Sequence, residues 1–125
     1  MIFAKPVTEI STADLQELLT DHAVENLRLE FKREIATKDE TFKKLSAFAN
    51  TIGGLVVIGA EAGGDGRITA LPGVVLKSGY KQTIVQWCFE GASPPLDVEV
   101  SDAIPTPKAA DNSVGLQPSL GKPRR

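Results

Sequence analysis

Three glutamates are the residues of this chain best suited to catalysis: Glu25, Glu30 and Glu61. Carboxylate oxygens are ligands that Mg²⁺ and Mn²⁺ prefer, so three converging glutamates would form a divalent-metal site. A metal held there would activate water and stabilise the charge that develops on a phosphodiester. Glu25 and Glu30 lie five positions apart. This odd separation puts them on opposite faces of one strand unless the chain bends near Asn26.

The alternative for Glu30 is an ordinary surface ion pair. Arg28 and Lys32 stand two positions before and after it, on the same face of an extended strand. Clusters of mixed charge are often no more than solvated surface. The residues alone therefore leave the catalytic and the structural interpretation open.

A second candidate site is a group of basic residues that could contact phosphates. Such contacts are independent of base sequence and weaken as salt rises. Acidic residues such as Glu34 and Glu40 interrupt the group, so a solvated surface of mixed sign is the alternative. Its members are Arg28, Lys32, Arg33, Lys43 and Lys44.

The remaining side chains give weaker signals. His22 and Cys88 are isolated and lack the spacing of a zinc site, and Cys88 fits a small core residue. Trp87 could stack on a base, but its helical spacing favours packing in the core. The glycines at 53–54 and 63–66 are followed by no Gly-Lys-Ser/Thr, so they indicate turns rather than a phosphate loop.

Length and composition fit one globular domain without a membrane segment. The chain has 125 residues, of which 42% are hydrophobic and 24% charged. The longest apolar run, 55–60, is too short to span a bilayer, and the N-terminus lacks the pattern of a signal peptide. The net charge is −2, so any nucleic-acid site must be a local patch. A single cysteine fits a reducing cytoplasm, which is the predicted location.

The periodicity predicts a small α+β domain with the element order α, β, α, β, β, α, β. Alternation over 27–32 predicts a half-buried strand, and the apolar run at 55–58 predicts a strand covered on both faces. Capping-box patterns predict helices that begin after Ser11 and Thr37. At Gly53-Gly54 the second helix must end, with a glycine in the left-handed conformation.

The C-terminal segment differs in character from the rest. From 104 onward, four prolines punctuate small and polar residues without periodicity. We therefore predict a folded domain over 1–103 and a disordered tail over 104–125.

The central residues resemble the signature of the Schlafen AlbA-like family. The lead-in at 14–18 and Ser-Pro-Pro-Leu at 93–96 also fit, so the likeness covers roughly 10–100. The main matching segments are Glu25, Leu-Glu-Phe-Lys at 29–32, Ala-Phe-Ala-Asn-Thr at 47–51, Gly-Gly at 53–54 and Val-Ile-Gly at 57–59.

The resemblance implies the α+β fold and a role with nucleic acid. Members found in regulator-like proteins are described as DNA-binding, whereas others resemble metal-dependent endoribonucleases that act on structured RNA such as tRNA. In those enzymes the active carboxylates fall on positions that match Glu25, Glu30 and Glu61. For that branch the resemblance implies Mg²⁺ or Mn²⁺ as cofactor.

Some features depart from the family pattern. Glu61 stands where aspartate is usual, and Asp65 in the stretched turn is a second candidate for the acidic position. The family continues past Pro-Pro-Leu into another strand pair, whereas this chain continues into its proline-rich segment. We therefore expect an incomplete sheet with an exposed edge, which favours pairing with a second copy as a homodimer.

Three functions follow from these observations. The first is a nucleic-acid-binding module, described in the family as DNA-binding, with a regulatory role and contacts through the five basic residues. The second is a divalent-metal-dependent endoribonuclease that uses the three glutamates. The third is a truncated protein-interaction module whose open sheet edge pairs with a partner chain. Salt-sensitive binding, EDTA-sensitive cleavage and oligomeric state distinguish the three.

Overall fold

The computed structural model describes residues 6–50, 53–91, 96–107 and 111–118. A turn of 3₁₀-helix at Val7–Glu9 precedes the other elements. The helices are α1 (Thr12–Thr20), α2 (Lys38–Ala49) and α3 (Tyr80–Glu90). The strands are β1 (Leu29–Lys32), β2 (Leu55–Ile58), β3 (Glu61–Ala62), β4 (Ile68–Ala70), β5 (Val98–Val100), β6 (Ile104–Pro105) and β7 (Asn112–Pro118). In this described part of the chain, no helix has the length and apolar character needed to cross a bilayer.

Both predicted capping boxes are confirmed. The hydroxyl oxygens of Ser11 and Thr37 accept the backbone N–H groups of Asp14 and Glu40, and these two carboxylates bind back to the caps. Such reciprocal bonds satisfy donors that the first turn of a helix leaves without partners. The start of α2 is thereby fixed, and with it the position of every side chain on the helix.

Two glycines connect α2 to β2 within a short distance. Gly53 takes a φ of 93°, the left-handed conformation predicted for the end of this helix. A Cβ on Gly54 would lie 2.6 Å from the ring of Phe48, so the strand can leave the helix only because this side chain is missing.

Of the matched motifs, Thr51 and 93–95 lie outside the described residues.

A mixed sheet with the order β1-β2-β7-β5 forms the centre of the fold, and β6 pairs with the start of β7. β1 and β2 run parallel, whereas β7 is antiparallel to β2 and β5. Residues of α1 and the 3₁₀ turn pack on one face of the sheet, against Phe31 and Val57. Residues of α2 and α3 pack on the other, against Val56 and Ile58. The predicted α+β fold is confirmed, and β2 is buried on both faces as expected.

β1 begins two residues later than the alternation predicts, at Leu29 rather than Leu27. The backbones of Asn26 and Leu29 exchange two hydrogen bonds and close a tight turn. Within it, Oδ1 of Asn26 accepts the N–H of Arg28. Leu27 is left on the outside, 87% exposed. The chain therefore does bend near Asn26, the condition stated for convergence of Glu25 and Glu30, and the bend sets the direction from which Glu25 approaches β1.

The disordered tail predicted over 104–125 is wrong for the residues that form β6 and β7. β7 lies in the middle of the sheet, so the strands expected to be missing are present. Small residues caused the error: Ser113 is buried, and a Cβ on Gly115 would lie 2.5 Å from Val7 Cγ2. At Gly115 a residue typical of loops is needed because the 3₁₀ turn packs tightly on the strand. The rest of the predicted tail, 119–125, lies outside the described residues.

Candidate nucleic-acid interface

Two lysines from different elements converge on one glutamate beside β1. The Nζ of Lys32 lies 3.5 Å from Glu30 Oε2, and the Nζ of Lys44, on α2, lies 3.3 Å from Glu30 Oε1. The Glu30 side chain is 19% exposed, whereas the lysine side chains are 38% and 40% exposed. These three residues, the Glu30 cluster, therefore carry one net positive charge, with the cations nearer to solvent than the anion.

α2 determines where the second lysine of the cluster lies. Leu45 and Phe48 face the sheet and are buried, which turns Lys44 towards β1. The Nζ of Lys44 also lies 5.7 Å from the centre of the Phe48 ring, within the range of a cation–π contact. Lys43, the preceding residue, is exposed on α2 and extends the basic surface. The fifth predicted residue, Arg28, is half-buried in the turn that precedes β1.

A separate ion pair lies at the C-terminal end of β1. The Nη1 of Arg33 donates to Glu61 Oε2 at 2.6 Å, and both side chains are largely exposed. The N–H groups of Gly59 and Ala60 both donate to the carbonyl of Lys32, which brings the start of β3 to this end of β1. Arg33 was predicted to contact phosphate and Glu61 to bind metal. In the structure these two residues are partners of each other.

Glu25 binds the backbone of β1. Its Oε2 accepts the N–H of Phe31 at 2.8 Å. The carbonyls of Arg28 and Lys32 point to β2, so the N–H of Phe31 points to the outer edge of the sheet. The N–H of Glu25 itself donates to the carbonyl of Gly66 at 2.8 Å. Glu25 therefore covers part of the edge that β1 would otherwise offer to another strand.

The three glutamates do not form a shared donor set as they are placed. Glu25 binds a backbone N–H, Glu30 binds two ammonium groups, and Glu61 binds a guanidinium. Within the described residues, no three His, Cys, Asp or Glu side chains are grouped to hold a metal ion. Asp65, the second candidate acid, accepts the N–H of Arg67, and this bond lowers the pKa of its carboxyl. The predicted metal-binding and catalytic roles stay predictions.

A groove of about 700 Å³, which no sequence pattern indicated, lies beside the end of β1. Trp87 is half-buried: it packs against the core on the α2 side of the sheet and also lines the groove. Helical spacing predicted its packing but could not show that the helix face is incompletely covered. The other lining residues include Arg33, Ile35, Val74, Lys77, Tyr80 and Ile84.

A hydrogen bond from α3 to the residue after β5 helps to hold this wall of the groove in place. The hydroxyl of Tyr80 donates to the carbonyl of Ser101 at 2.9 Å. Burial raises the pKa of Tyr80, which further favours the protonated phenol that donates this hydrogen bond. Cys88 is fully buried, as predicted for a core residue, and burial raises the pKa of its thiol.

A match to a known protein family agrees with the fold. No curated protein sequence matches this chain. The family model described as Schlafen, AlbA_2 matches residues 25–109, which is more than half of the chain. The matched region contains β1, α2 and α3, the elements that carry the Glu30 cluster and the helical wall of the groove. This chain therefore belongs to the Schlafen AlbA_2 family.

Proposed function

We propose that this chain is a nucleic-acid-binding module whose phosphate contacts are made by the Glu30 cluster and its basic neighbours. Membership of the Schlafen AlbA_2 family suggests a nucleic-acid-related role. The observation that carries the proposal is the convergence of Lys32 and Lys44 on one carboxylate. Two cations face one anion, so this surface is locally positive in a chain whose net charge is −2.

A phosphate can replace the Glu30 carboxylate as partner of the two lysines. Surface ion pairs contribute only about 0–1 kcal/mol, so opening them costs little. Lysine side chains are long and flexible, and their ammonium groups can turn outward to a phosphate backbone. The planar fork of Arg33 suits bidentate phosphate binding, and its pair with Glu61 is similarly exposed. The exposed Lys43 adds a further cation beside Lys44.

Contacts of this kind position a nucleic acid but read no base sequence. In keeping with the resemblance to DNA-binding members, we propose DNA as the first ligand and a regulatory role for the module. Structured RNA is the alternative ligand. A metal-dependent nuclease is less well supported, because Glu25, Glu30 and Glu61 each bind a different group and do not converge as they are placed.

The first test is binding of the purified chain to labelled duplex DNA, single-stranded DNA and tRNA, each with Mn²⁺ or with EDTA. We expect a shift on native gels that persists in EDTA, no fragments on denaturing gels, and affinity that falls steeply as salt rises. Fragments that require Mn²⁺ would support the endoribonuclease alternative. Binding of none of the three would overturn the proposal, and a dimer by light scattering would then favour the protein-interaction alternative.

A pair of charge variants tests which residues bind. In Lys32→Gln/Lys44→Gln we expect weaker binding and a salt dependence shallower by about 1.4–1.8 in log–log slope, as for two lost phosphate contacts. The control is Arg67→Gln/Lys81→Gln, which removes the same charge from two surface ion pairs with Asp65 and Asp102. Equal losses in both double variants would show that total charge, and not the Glu30 cluster, determines binding.

A further inference from the structure

The groove beside α3 has the features of a site for one unpaired nucleotide. Its volume of about 700 Å³ falls within the range of small-molecule sites, about 300–1,000 Å³. Aromatic and aliphatic side chains form much of its wall, including Trp87, Tyr80 and Ile84. A nucleobase buries its flat faces well against such a wall, particularly against an indole ring.

The charges that line the groove suit a nucleotide better than a purely apolar ligand. Arg33 and Lys77 can bind phosphate, whereas Glu34 and Asp111 can accept hydrogen bonds from the amino group of a base. A nucleotide presents both an anion and, in adenine, cytosine or guanine, such a donor. The combination of cations and carboxylates around apolar side chains therefore matches a nucleotide.

The groove is continuous with the surface proposed to bind phosphates. Arg33 follows β1 directly after Lys32, a member of the Glu30 cluster, and it also lines the groove. A strand whose backbone follows the Glu30 cluster therefore reaches the mouth of the groove at Arg33. Bases within a duplex are stacked on each other and cannot offer a face to Trp87.

We infer that this groove receives an unpaired base of the bound strand and stacks it on Trp87. The inference rests on the proposed function, because the phosphate contacts hold the strand in place. It assigns to the module a preference for single-stranded or locally unpaired nucleic acid over intact duplex. Base–aromatic stacking contributes about 1–3 kcal/mol per base, so the preference should be about tenfold or more.

The test uses Trp87 as its own reporter, because it is the one tryptophan of the chain. The probes are an oligo-dA strand and an abasic strand of the same length and charge. We expect oligo-dA to bind about tenfold more tightly and to quench the tryptophan fluorescence, and the abasic strand to bind without quenching. Equal affinity without quenching would overturn the groove site while leaving the phosphate surface intact. Binding of neither strand would overturn both.

Variants on α3 make the test independent of fluorescence. Trp87→Leu should lower affinity for oligo-dA about tenfold, to that of the abasic strand, and leave abasic binding unchanged. Phe89→Leu is the control, since Phe89 is 59% exposed on the same helix but does not line the groove. If Trp87→Leu does not fold, Thr83→Gln places a longer side chain in the groove. It should reduce only the affinity difference between oligo-dA and the abasic strand. A Thr83→Gln variant with full discrimination would contradict the inference.

Discussion

β1 and β7 flank the same strand, β2, and differ in what their residues do. β1 lies at an edge and alternates buried apolar residues with the partly buried Glu30 and Lys32. β7 lies at the centre, and 113–116 are buried throughout. One face of β7 carries Val114 and Leu116, whereas the other carries small residues.

The difference separates stability from binding. At β7 close packing leaves no space, so a change of one methyl group should affect folding. At β1 the charged side chains lie on the surface, so changes there should affect ligands more than stability. Glu25 stands between these cases because it is half-buried and binds the β1 backbone. Substitutions can test each part of this comparison.

The largest expected effect on folding is at Gly115. An alanine Cβ would lie 2.5 Å from Val7 Cγ2, so Gly115→Ala forces the 3₁₀ turn away from the sheet. Overpacking of this kind costs about 1–3 kcal/mol. The matched control is Gly64→Ala, where a Cβ has no neighbour within 4 Å. Urea denaturation should show the loss for the first variant alone, and equal stability of the two would place β7 outside the tightly packed core.

A smaller effect on the free energy of unfolding is expected for substitutions of Glu25, which lies at the outer edge of β1. Glu25→Ala removes the acceptor of the Phe31 N–H, and we expect a loss of about 1 kcal/mol in unfolding free energy. Glu25→Gln keeps an acceptor oxygen and should retain most of that stability. Chemical denaturation of the two variants measures the difference. An alanine variant as stable as the parent would show that the hydrogen bond contributes nothing, and would leave metal binding as the better role for Glu25.

Features set by local chemistry could be predicted from the sequence. The capping boxes at Ser11 and Thr37 and the left-handed Gly53 depend on a few neighbouring residues, and the structure confirms all three. β2 was predictable because an apolar run with β-branched residues has few alternatives. The basic residues could be named for the same reason, since charge is a property of each residue alone.

Features that depend on distant partners could not be predicted. Gly115 indicates a loop until Val7, more than a hundred positions away, is known to cover it. The partners of the glutamates were hidden too, because Glu30 pairs with Lys44 across two elements and Glu61 pairs with Arg33. The groove at Trp87 is lined by residues of three segments that are distant in sequence, 33–36, 73–87 and Asp111. Periodicity describes one element and cannot show which part of its face stays open.

The smallest expected effect is at the centre of the Glu30 cluster. Glu30→Gln removes the shared anion and leaves Lys32 and Lys44 available to phosphate. The Glu30 carboxylate competes with phosphate for the two lysines by about the free energy of a surface ion pair, 0.2–1 kcal/mol. Without it, affinity for nucleic acid should rise about 1.5- to 5-fold at low salt. Unfolding free energy should fall by no more than about 1 kcal/mol, the contribution expected of such an ion pair. Binding titrations over a salt series measure the gain.

The control for this variant is Glu17→Gln, which makes the same charge change at an exposed position on α1. α1 packs on the opposite face of the sheet from α2, so Glu17 lies away from the Glu30 cluster. Both variants change the net charge equally, but only Glu30→Gln removes a charge next to Lys32 and Lys44. If both variants gain equally, long-range charge explains the result and the lysines are not held back by Glu30. If Glu30→Gln binds more weakly than the parent, the carboxylate positions the two lysines for the ligand, and the ion pairs would then be part of the binding site itself.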